Sequence, residues 1–319
     1  MLGVKIPVSK IELPAPEMQN NARPVGDTLV PTVFHEPWWL DIVTGGNYAA
    51  AEVADNGRTV GQLYYFLRQR GGFKYSIMPP LTHFLGPAVV DDGGNAPTRF
   101  LRRTEITREL IQKLPPAALY QYKCHWDITD TIAFQQERFH TGVQFTHNIY
   151  PDTEEVLWKN LSSKKQRINS ARKELTVSYL TDPLEFWKFY NANWKKTVVN
   201  VLDQQMFCHL IEACLSRNRG CMLGAFDKHK KLAATACFIW DNTSCFYFLA
   251  SRTRDSHSAA SSLLVWEGIK EAAKRNLIFD FDGLSNSNAV LFFTQFGGVI
   301  RPPLYCNAAL IGGRTCLRY

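Results

Sequence analysis

The chain has little of what a membrane protein or a secreted protein needs. No apolar run among its 319 residues approaches the roughly 20 residues that span a bilayer. The first residues, MLGVKIPVSKIELPAPEM, lack the long apolar segment and the small-residue cleavage site of a signal peptide. The sequence therefore predicts a protein without a transmembrane segment, located in the cytoplasm.

Several familiar chemical motifs are also missing. The sequence has no GxSxG elbow, no phosphate-loop lysine motif and no dinucleotide-binding glycine fingerprint. Its eight cysteines are scattered, and neither a CxxC pair nor a Cys/His cluster has the spacing of a zinc site. No metal site is expected. The cysteines are interpreted as buried reduced thiols, with a nucleophilic cysteine as the alternative.

Positive charge is the first feature that is present in excess. The chain carries a formal net charge of +7, and basic residues concentrate between Lys159 and Lys173. Such a cluster favours an anionic ligand, which would be a nucleotide diphosphate, an RNA or a lipid head group. A solvated helix face is the alternative, and no DNA partner is expected.

The order of elements in the second half is the most informative pattern. Between residues 220 and 311, three apolar strand-like runs precede a helical stretch, a buried strand, a short amphipathic stretch and a last strand. This order resembles that of an acyl-CoA-type N-acyltransferase core, and the resemblance implies that the first turn of the middle helix holds a diphosphate. The first half, over residues 48–150, shows the same order, so the sequence predicts an internal duplication.

A candidate diphosphate site lies at the predicted start of the middle helix. A helix N-terminus presents free backbone N–H groups and a partial positive charge, small residues allow close approach of a ligand, and arginines add donors. The candidate donor-binding residues are Arg252, Arg254, His257, Ser258, Ala259 and Ser261. The alternative is a serine-rich N-cap beside surface arginines.

Candidate catalytic residues follow the buried strand predicted over residues 277–281. Asp280 and Asp282 leave the same face of that strand, and Asp282 is the nearer to its end. Acyl transfer to an amine needs a proton acceptor, so Asp282 is predicted to bind or deprotonate the amine and Asp280 to contact the substrate. Turn formation or helix capping by Asp282 is the alternative. Tyr247 is predicted to protonate the leaving group, with a purely structural role as its alternative.

Four more residues complete the predicted substrate contacts. His125, Trp126 and Asp127 follow a strand of the first half and are predicted to line a cleft between the halves. Phe293 belongs to the short amphipathic stretch of the second half.

Four stretches of sequence carry a family resemblance. They are GGFKYSIMPPLTHFLGP (71–87), WKNLSSKKQRINSARKEL (158–175), ASSLLVWEGIKEAAKRNLIFDFDG (260–283) and FFTQFGG (292–298). Together they make the chain similar to the FemAB-like branch of the GNAT acyltransferase superfamily, whose members contain two tandem GNAT-like domains. The chain departs from the family at Phe293, where many relatives have a lysine.

The resemblance implies an α/β fold with mixed sheets, made of two tandem GNAT-like domains joined by a basic helix. The predicted division is an N-terminal arm over residues 1–30, a first domain over 31–152 and a second domain over 153–319. The basic helix, over residues 158–175, is expected to open the second domain.

The resemblance also implies transfer of an acyl or aminoacyl group to an amine. The leading hypothesis is an N-acyltransferase that uses an acyl thioester, acyl-CoA, on an amino sugar or an envelope-polysaccharide precursor. The second is an aminoacyl transferase that uses charged tRNA, which the basic helix supports and Phe293 disfavours. The third is a catalytically silent module that binds a nucleotide-linked glycan, which His257 and Phe293 at altered motif positions support.

Overall fold

The computed structural model of the protein describes residues 29–90, 93–125, 128–193, 203–284, 286–302, 304–311 and 314–315. Within them, sheets of mixed strand direction carry helices against their faces, which confirms the predicted α/β class. The helices are α1 (Pro37–Thr44), α2 (Ala96–Gln112), α3 (Ile132–Gln136), α4 (Glu154–Asn160), α5 (Lys164–Glu174), α6 (Pro183–Ala192), α7 (Gln204–Ser216), α8 (Ala260–Lys274) and α9 (Ser287–Thr294). None of these helices is long and apolar enough to cross a bilayer.

The central strands of the second half follow the apolar runs of the sequence closely. The strands are β1 (Ala49–Asp55), β2 (Arg58–Tyr65), β3 (Leu67–Arg70), β4 (Phe73–Ser76), β5 (Ala88–Val89), β6 (Leu119–Lys123), β7 (His140–Val143), β8 (Thr146–Ile149), β9 (Thr176–Leu180), β10 (Gly220–Phe226), β11 (Leu232–Trp240), β12 (Ser244–Arg252), β13 (Ile278–Asp280), β14 (Val299–Arg301), β15 (Leu304–Ile311) and β16 (Arg314–Thr315).

The largest sheet organises the second half of the chain. Its strand order is β14-β8-β13-β12-β11-β10-β9, and β9 to β12 are antiparallel neighbours. The next strand, β13, runs parallel to β12, and a parallel neighbour requires a crossover, which α8 provides.

Two apolar cores cover the two faces of this sheet. One contains Phe238 of the sheet and Trp266 of α8, and the other contains Phe186 of α6 and Phe207 of α7. These four side chains are fully buried, and each such burial stabilises the fold by about 1.5–3 kcal/mol. Because both faces are covered, the central strands read as continuous apolar runs rather than alternating ones.

The first half divides its strands between smaller sheets. One has the order β1-β2-β5, and the other has the order β16-β15-β6-β4-β3, with β7 on β15. Helix α2 packs Ile106 and Leu110 into the core of this half. Its N-terminus is capped by Asn95, whose side chain accepts a hydrogen bond from the Thr98 amide.

The two halves exchange one strand each. Strand β8 comes from the first half but lies between β13 and β14 of the large sheet. Strand β15 comes from the second half but lies between β6 and β7. The domain boundary at residue 152 stays a prediction, and the sheets themselves cross it.

The predicted basic helix over residues 158–175 is present only in part. Lys164–Glu174 forms α5, whereas Trp158 and Lys159 belong to the separate helix α4. Leu161, between the two helices, has an extended backbone. Serines at positions 162 and 163 compete for backbone hydrogen bonds, which weakens a helix at this point.

Candidate active site

Strands β12 and β13 part near the centre of the large sheet. Parallel pairing joins Ser244–Phe246 to Ile278–Asp280, but β12 continues to Arg252 whereas β13 ends at Asp280. The end of β13 therefore lies beside a stretch of β12 that has left it. The candidate catalytic residues Asp282 and Tyr247 lie close to this opening.

Asp282 lies just beyond the end of β13 and contacts two basic side chains of the first half. Its Oδ1 lies 3.1 Å from Lys123 Nζ, and its Oδ2 lies 2.7 Å from His83 Nδ1. Burial alone would raise the pKa of the Asp282 carboxyl, but His83 and Lys123 lower it below its usual value. Its backbone is left-handed, with φ 55°, a region that aspartate tolerates better than most residues.

Asp280 performs the local structural role that the sequence analysis considered for Asp282. Its side chain is fully buried, and its Oδ1 accepts hydrogen bonds from the Asp282 amide at 2.8 Å and from the Thr146 hydroxyl. Its Oδ2 is buried without a hydrogen-bond partner among the described residues. Burial raises the pKa of Asp280 to about 6, although the hydrogen bond from Thr146 acts to lower it.

His83 is a residue of this site that the sequence analysis missed. Its ring lies between Phe34 and Phe248, with centroid distances of 5.1 and 4.9 Å. Although Nδ1 is close to Asp282, it lacks the alignment of a hydrogen bond, which is common in sites without substrate. The side chain is 15% exposed, so the ring is fixed in place yet reachable.

A signal for His83 was present in the sequence, because the residue lies in the first of the four family-like stretches, 71–87. Lys123, the other residue that contacts Asp282, lies at the end of β6 with its Nζ 4.8 Å from the Phe84 ring centroid. Neither residue is near Asp282 in sequence, so no local spacing could have connected them.

Tyr247 and Phe293 lie together on the face of the large sheet that α8 covers. The Phe281 ring stacks on Phe293 at 4.3 Å and packs edge-on against Tyr247 at 6.1 Å. Burial raises the pKa of Tyr247, so its hydroxyl is protonated near neutral pH, as a general acid must be. His147 of the exchanged strand β8 joins this cluster, with its ring 5.5 Å from Phe281.

The predicted diphosphate-binding residues gather at the start of α8. Arg252, Arg254 and Ser258 are exposed, whereas Ala259 is buried and Ser261 half-buried. The helix has no side-chain cap, so the amides of its first turn lack intrahelical acceptors. This part of the site has the features expected of an anion site.

His257 already occupies two donors of this helix start, because its carbonyl oxygen also accepts the Ala260 amide at 2.9 Å. Its Nδ1 accepts the Ala259 amide at 3.1 Å, so the ring proton of the neutral form is on Nε2. That nitrogen lies 3.2 Å from Ser170 Oγ on α5. His257 therefore joins α5 to the start of α8.

The remaining predicted residues lie elsewhere or cannot be placed. His125 is buried with its ring 6.1 Å from His35, and burial lowers its pKa to about 4. Trp126 and Asp127 lie outside the described residues. Over the described ranges, no group of His, Cys, Asp and Glu side chains is arranged to hold a metal ion.

Comparison with solved structures identifies the fold. FemX matches with a TM-score of 0.62 and 11% identity, over 89% of this chain and 93% of that one. The C-terminal domain of a lysylphosphatidylglycerol synthetase from Agrobacterium fabrum matches with a TM-score of 0.51 and 11% identity, over 84% and 86%. L-PGS from Bacillus licheniformis matches with a TM-score of 0.51 and 9% identity, over 84% and 85%.

These likenesses concern the fold alone, since the identities are low. At that level they confirm the predicted fold, which is similar to that of FemX and of the two other structures. No family model matches the chain, and no curated protein matches it by sequence.

Proposed function

We propose that the protein is an acyltransferase that moves an acyl group from a thioester donor, acyl-CoA, to an amine. The attacking nitrogen forms a bond to the carbonyl carbon, the carbon–sulfur bond breaks, and the amine loses a proton. His83 Nε2 accepts that proton, Asp282 orients the His83 ring, and Tyr247 returns a proton to the thiolate. The acceptor class is an amino sugar or a related envelope precursor.

One observation carries this proposal, namely the pair formed by His83 and Asp282 at the opening between β12 and β13. A carboxylate beside one ring nitrogen stabilises the protonated imidazole, so the other nitrogen becomes the stronger base. Asp282 itself is a poor base near neutral pH, because its pKa is lowered and one of its oxygens faces the Lys123 ammonium. Its role shifts from the predicted base to a positioning residue.

The donor would bind at the start of α8, with its diphosphate on the free amides and beside Arg252 and Arg254. Ala259 and Ala260 offer no amide there, because His257 accepts both. An aminoacyl-tRNA is the second candidate donor, and the basic surface of α5 favours it. A cytoplasmic location stays a prediction of the sequence.

The test is thiol release from acetyl-CoA in the presence of a panel of amino sugars, with His83→Gln as the variant. His229→Gln is the matched control, because His229 is an exposed histidine in the turn between β10 and β11. We expect amine-dependent release by the wild type and the control, and a loss of about 100- to 10,000-fold in His83→Gln.

Other outcomes separate the alternatives. Turnover with charged tRNA but not with acetyl-CoA would replace the thioester by an aminoacyl ester. Binding of a nucleotide sugar without any turnover would favour the silent module. Full turnover in His83→Gln would remove the proposed base.

A further inference from the structure

The ammonium group of Lys164 is buried, and the residues that the structure describes give it no counter-ion. Lys164 is the first residue of α5 and is 1% exposed. Its Nζ lies 3.9 Å from the ring centroid of Phe292 and 5.3 Å from that of Phe296. Among the described residues, no carboxylate pairs with it.

Three effects oppose the charge of Lys164 at this place. Burial removes water from the ammonium, and Arg167, one turn later on the same helix, repels it; together they lower its pKa to about 8. The positive end of the α5 dipole adds a third unfavourable interaction. The two aromatic rings oppose these effects only in part, so the arrangement calls for an anion.

The helix start around Lys164 lacks the usual partners of its amides. Ser163, the N-cap, forms no side-chain cap, and the first turn contains no acidic residue. The first amides of a helix have no intrahelical acceptor. Ser162, Ser163 and Arg167 are exposed, so a ligand can approach this end of α5. The free amides, the buried ammonium and the guanidinium thus all belong to the first four residues of α5.

We propose that the N-terminus of α5, with Lys164 and Arg167, binds a phosphate group. Phosphate oxygens suit helix amides together with charged lysine and arginine donors. A phosphate on the first amides of α5 explains why no side chain caps this helix. Its negative charge offsets the burial of Lys164, the repulsion by Arg167 and the unfavourable helix dipole.

A second step concerns the donor and rests on the proposed function. Ser170 of α5 touches His257 beside the start of α8, and Ser170 lies six residues after Lys164. At about 1.5 Å per residue, the two points are about 9 Å apart along the α5 axis. The phosphate at α5 would therefore belong to the same donor as the diphosphate at α8. That chemistry is a phosphorylated ribose, found in CoA as its 3′-phosphate and in an RNA end as a phosphodiester.

The first test uses inorganic phosphate as the probe and thermal unfolding at low salt as the readout. The variant is Lys164→Met, which keeps an unbranched apolar stem, and the matched control is Lys173→Met, an exposed lysine in the last turn of α5. We expect phosphate to raise the melting temperature of the wild type and the control more than that of Lys164→Met, because the anion site at α8 is the same in all three.

Without phosphate, Lys164→Met should melt no lower than the wild type, because an unpaired buried charge has been removed. Should Lys164→Met fold poorly, Arg167→Gln at the exposed neighbour should weaken phosphate binding by about threefold or more. An undiminished phosphate response in both variants would overturn the site.

The second test separates the sources by calorimetry with CoA, with dephospho-CoA and with a short RNA that ends in CCA. If CoA is the source, Lys164→Met weakens CoA binding about tenfold and leaves dephospho-CoA binding unchanged. If RNA is the source, the variant lowers the slope of log affinity against log salt by about 0.7. Phosphate binding without either effect overturns the donor step alone, and thiol release is a separate measurement that tests the proposed function.

Discussion

The two halves of the molecule use similar orders of elements in different ways. The second half builds one sheet of seven strands with a helix-covered core on each face. The first half divides its strands between smaller sheets and gives β8 to its neighbour. The second half therefore forms the framework, and the first half completes it.

The same division applies to the candidate active site. The second half contributes the opening between β12 and β13, together with Asp282, and the first half contributes His83 and Lys123. Thr146, on the exchanged strand, holds Asp280 in place. A site assembled in this way depends on the contact between the halves, which the following substitutions test.

The largest effect is expected for Asp282→Asn. Asparagine cannot stabilise a protonated His83 and leaves Lys123 without its carboxylate, so both turnover and stability should fall. We expect turnover to drop by about 100-fold or more, and the free energy of unfolding to drop by roughly 2–3 kcal/mol, since the pair is only partly exposed.

The control for Asp282→Asn is Glu109→Gln. Glu109 lies 2.8 Å from Lys113, but this pair belongs to one helix of the first half and both side chains are about half exposed. Exposed pairs contribute about 0–1 kcal/mol, so denaturation should hardly distinguish Glu109→Gln from the wild type. Equal losses in the two variants would show that Asp282 does not connect the halves.

The largest effect on stability alone is expected for Gly298→Ala, which acts on the exchanged strand. Gly298 has φ 92°, and a Cβ there would lie 2.3 Å from the Asn148 carbonyl oxygen of β8. Backbone strain costs about 1–2 kcal/mol, and overpacking adds about 1–3 kcal/mol. Chemical denaturation should therefore show a loss of roughly 2–5 kcal/mol.

Gly46→Ala provides the comparison for this substitution. Gly46 has φ 75°, but a Cβ there would meet nothing within 4 Å. This variant should show the backbone cost alone. If both alanine variants are destabilised equally, the close approach of β8 is not the reason why glycine is needed at position 298.

Much of the fold could be predicted from the sequence, because the second half has strong local signals. Its apolar runs and the helical period of residues 259–275 place β10 to β13 and α8 within one or two residues. The aspartates were found because a strand end is a local feature. The strand exchange was not predicted, since the apolar pattern of β15 suits a buried strand in either sheet and β8, with the sequence THNI, is mostly polar.

The candidate site was harder to predict for the same reason. His83 and Lys123 meet Asp282 only through the packing of the two halves, over about 200 and 160 residues of chain. Lys164 was recognised as part of a basic cluster, but its burial under Phe292 depends on where α9 lies.

A smaller effect is expected from acid, and it concerns the first half. His35 and His125 are buried, and burial lowers their pKa values to about 3 and about 4. Both stay neutral in the folded protein, while the unfolded chain takes up protons near pH 6.5. Stability is therefore complete above pH 6.5 and falls as the pH decreases, by roughly 2 kcal/mol per ring at pH 5.

Denaturation at pH 7.5 and pH 5 measures this loss. His125→Gln should show about half the acid sensitivity of the wild type, whereas the exposed His229→Gln should show all of it. An unchanged acid response in His125→Gln would mean that the ring is protonated in the folded protein.

The smallest effect is expected for Asp280→Asn, which sharpens the contrast between the two aspartates. Burial raises the pKa of Asp280 to about 6, so its ionised form opposes folding, and stability falls as the pH rises through the range from about 4 to 6. Asparagine keeps an oxygen that accepts from Thr146 and from the Asp282 amide, and it carries no charge. Unfolding at pH 8 should therefore show a change within about 1 kcal/mol, in the stabilising direction, which shrinks towards pH 4. A loss as large as that of Asp282→Asn would mean that the Asp280 carboxylate is needed in its charged form.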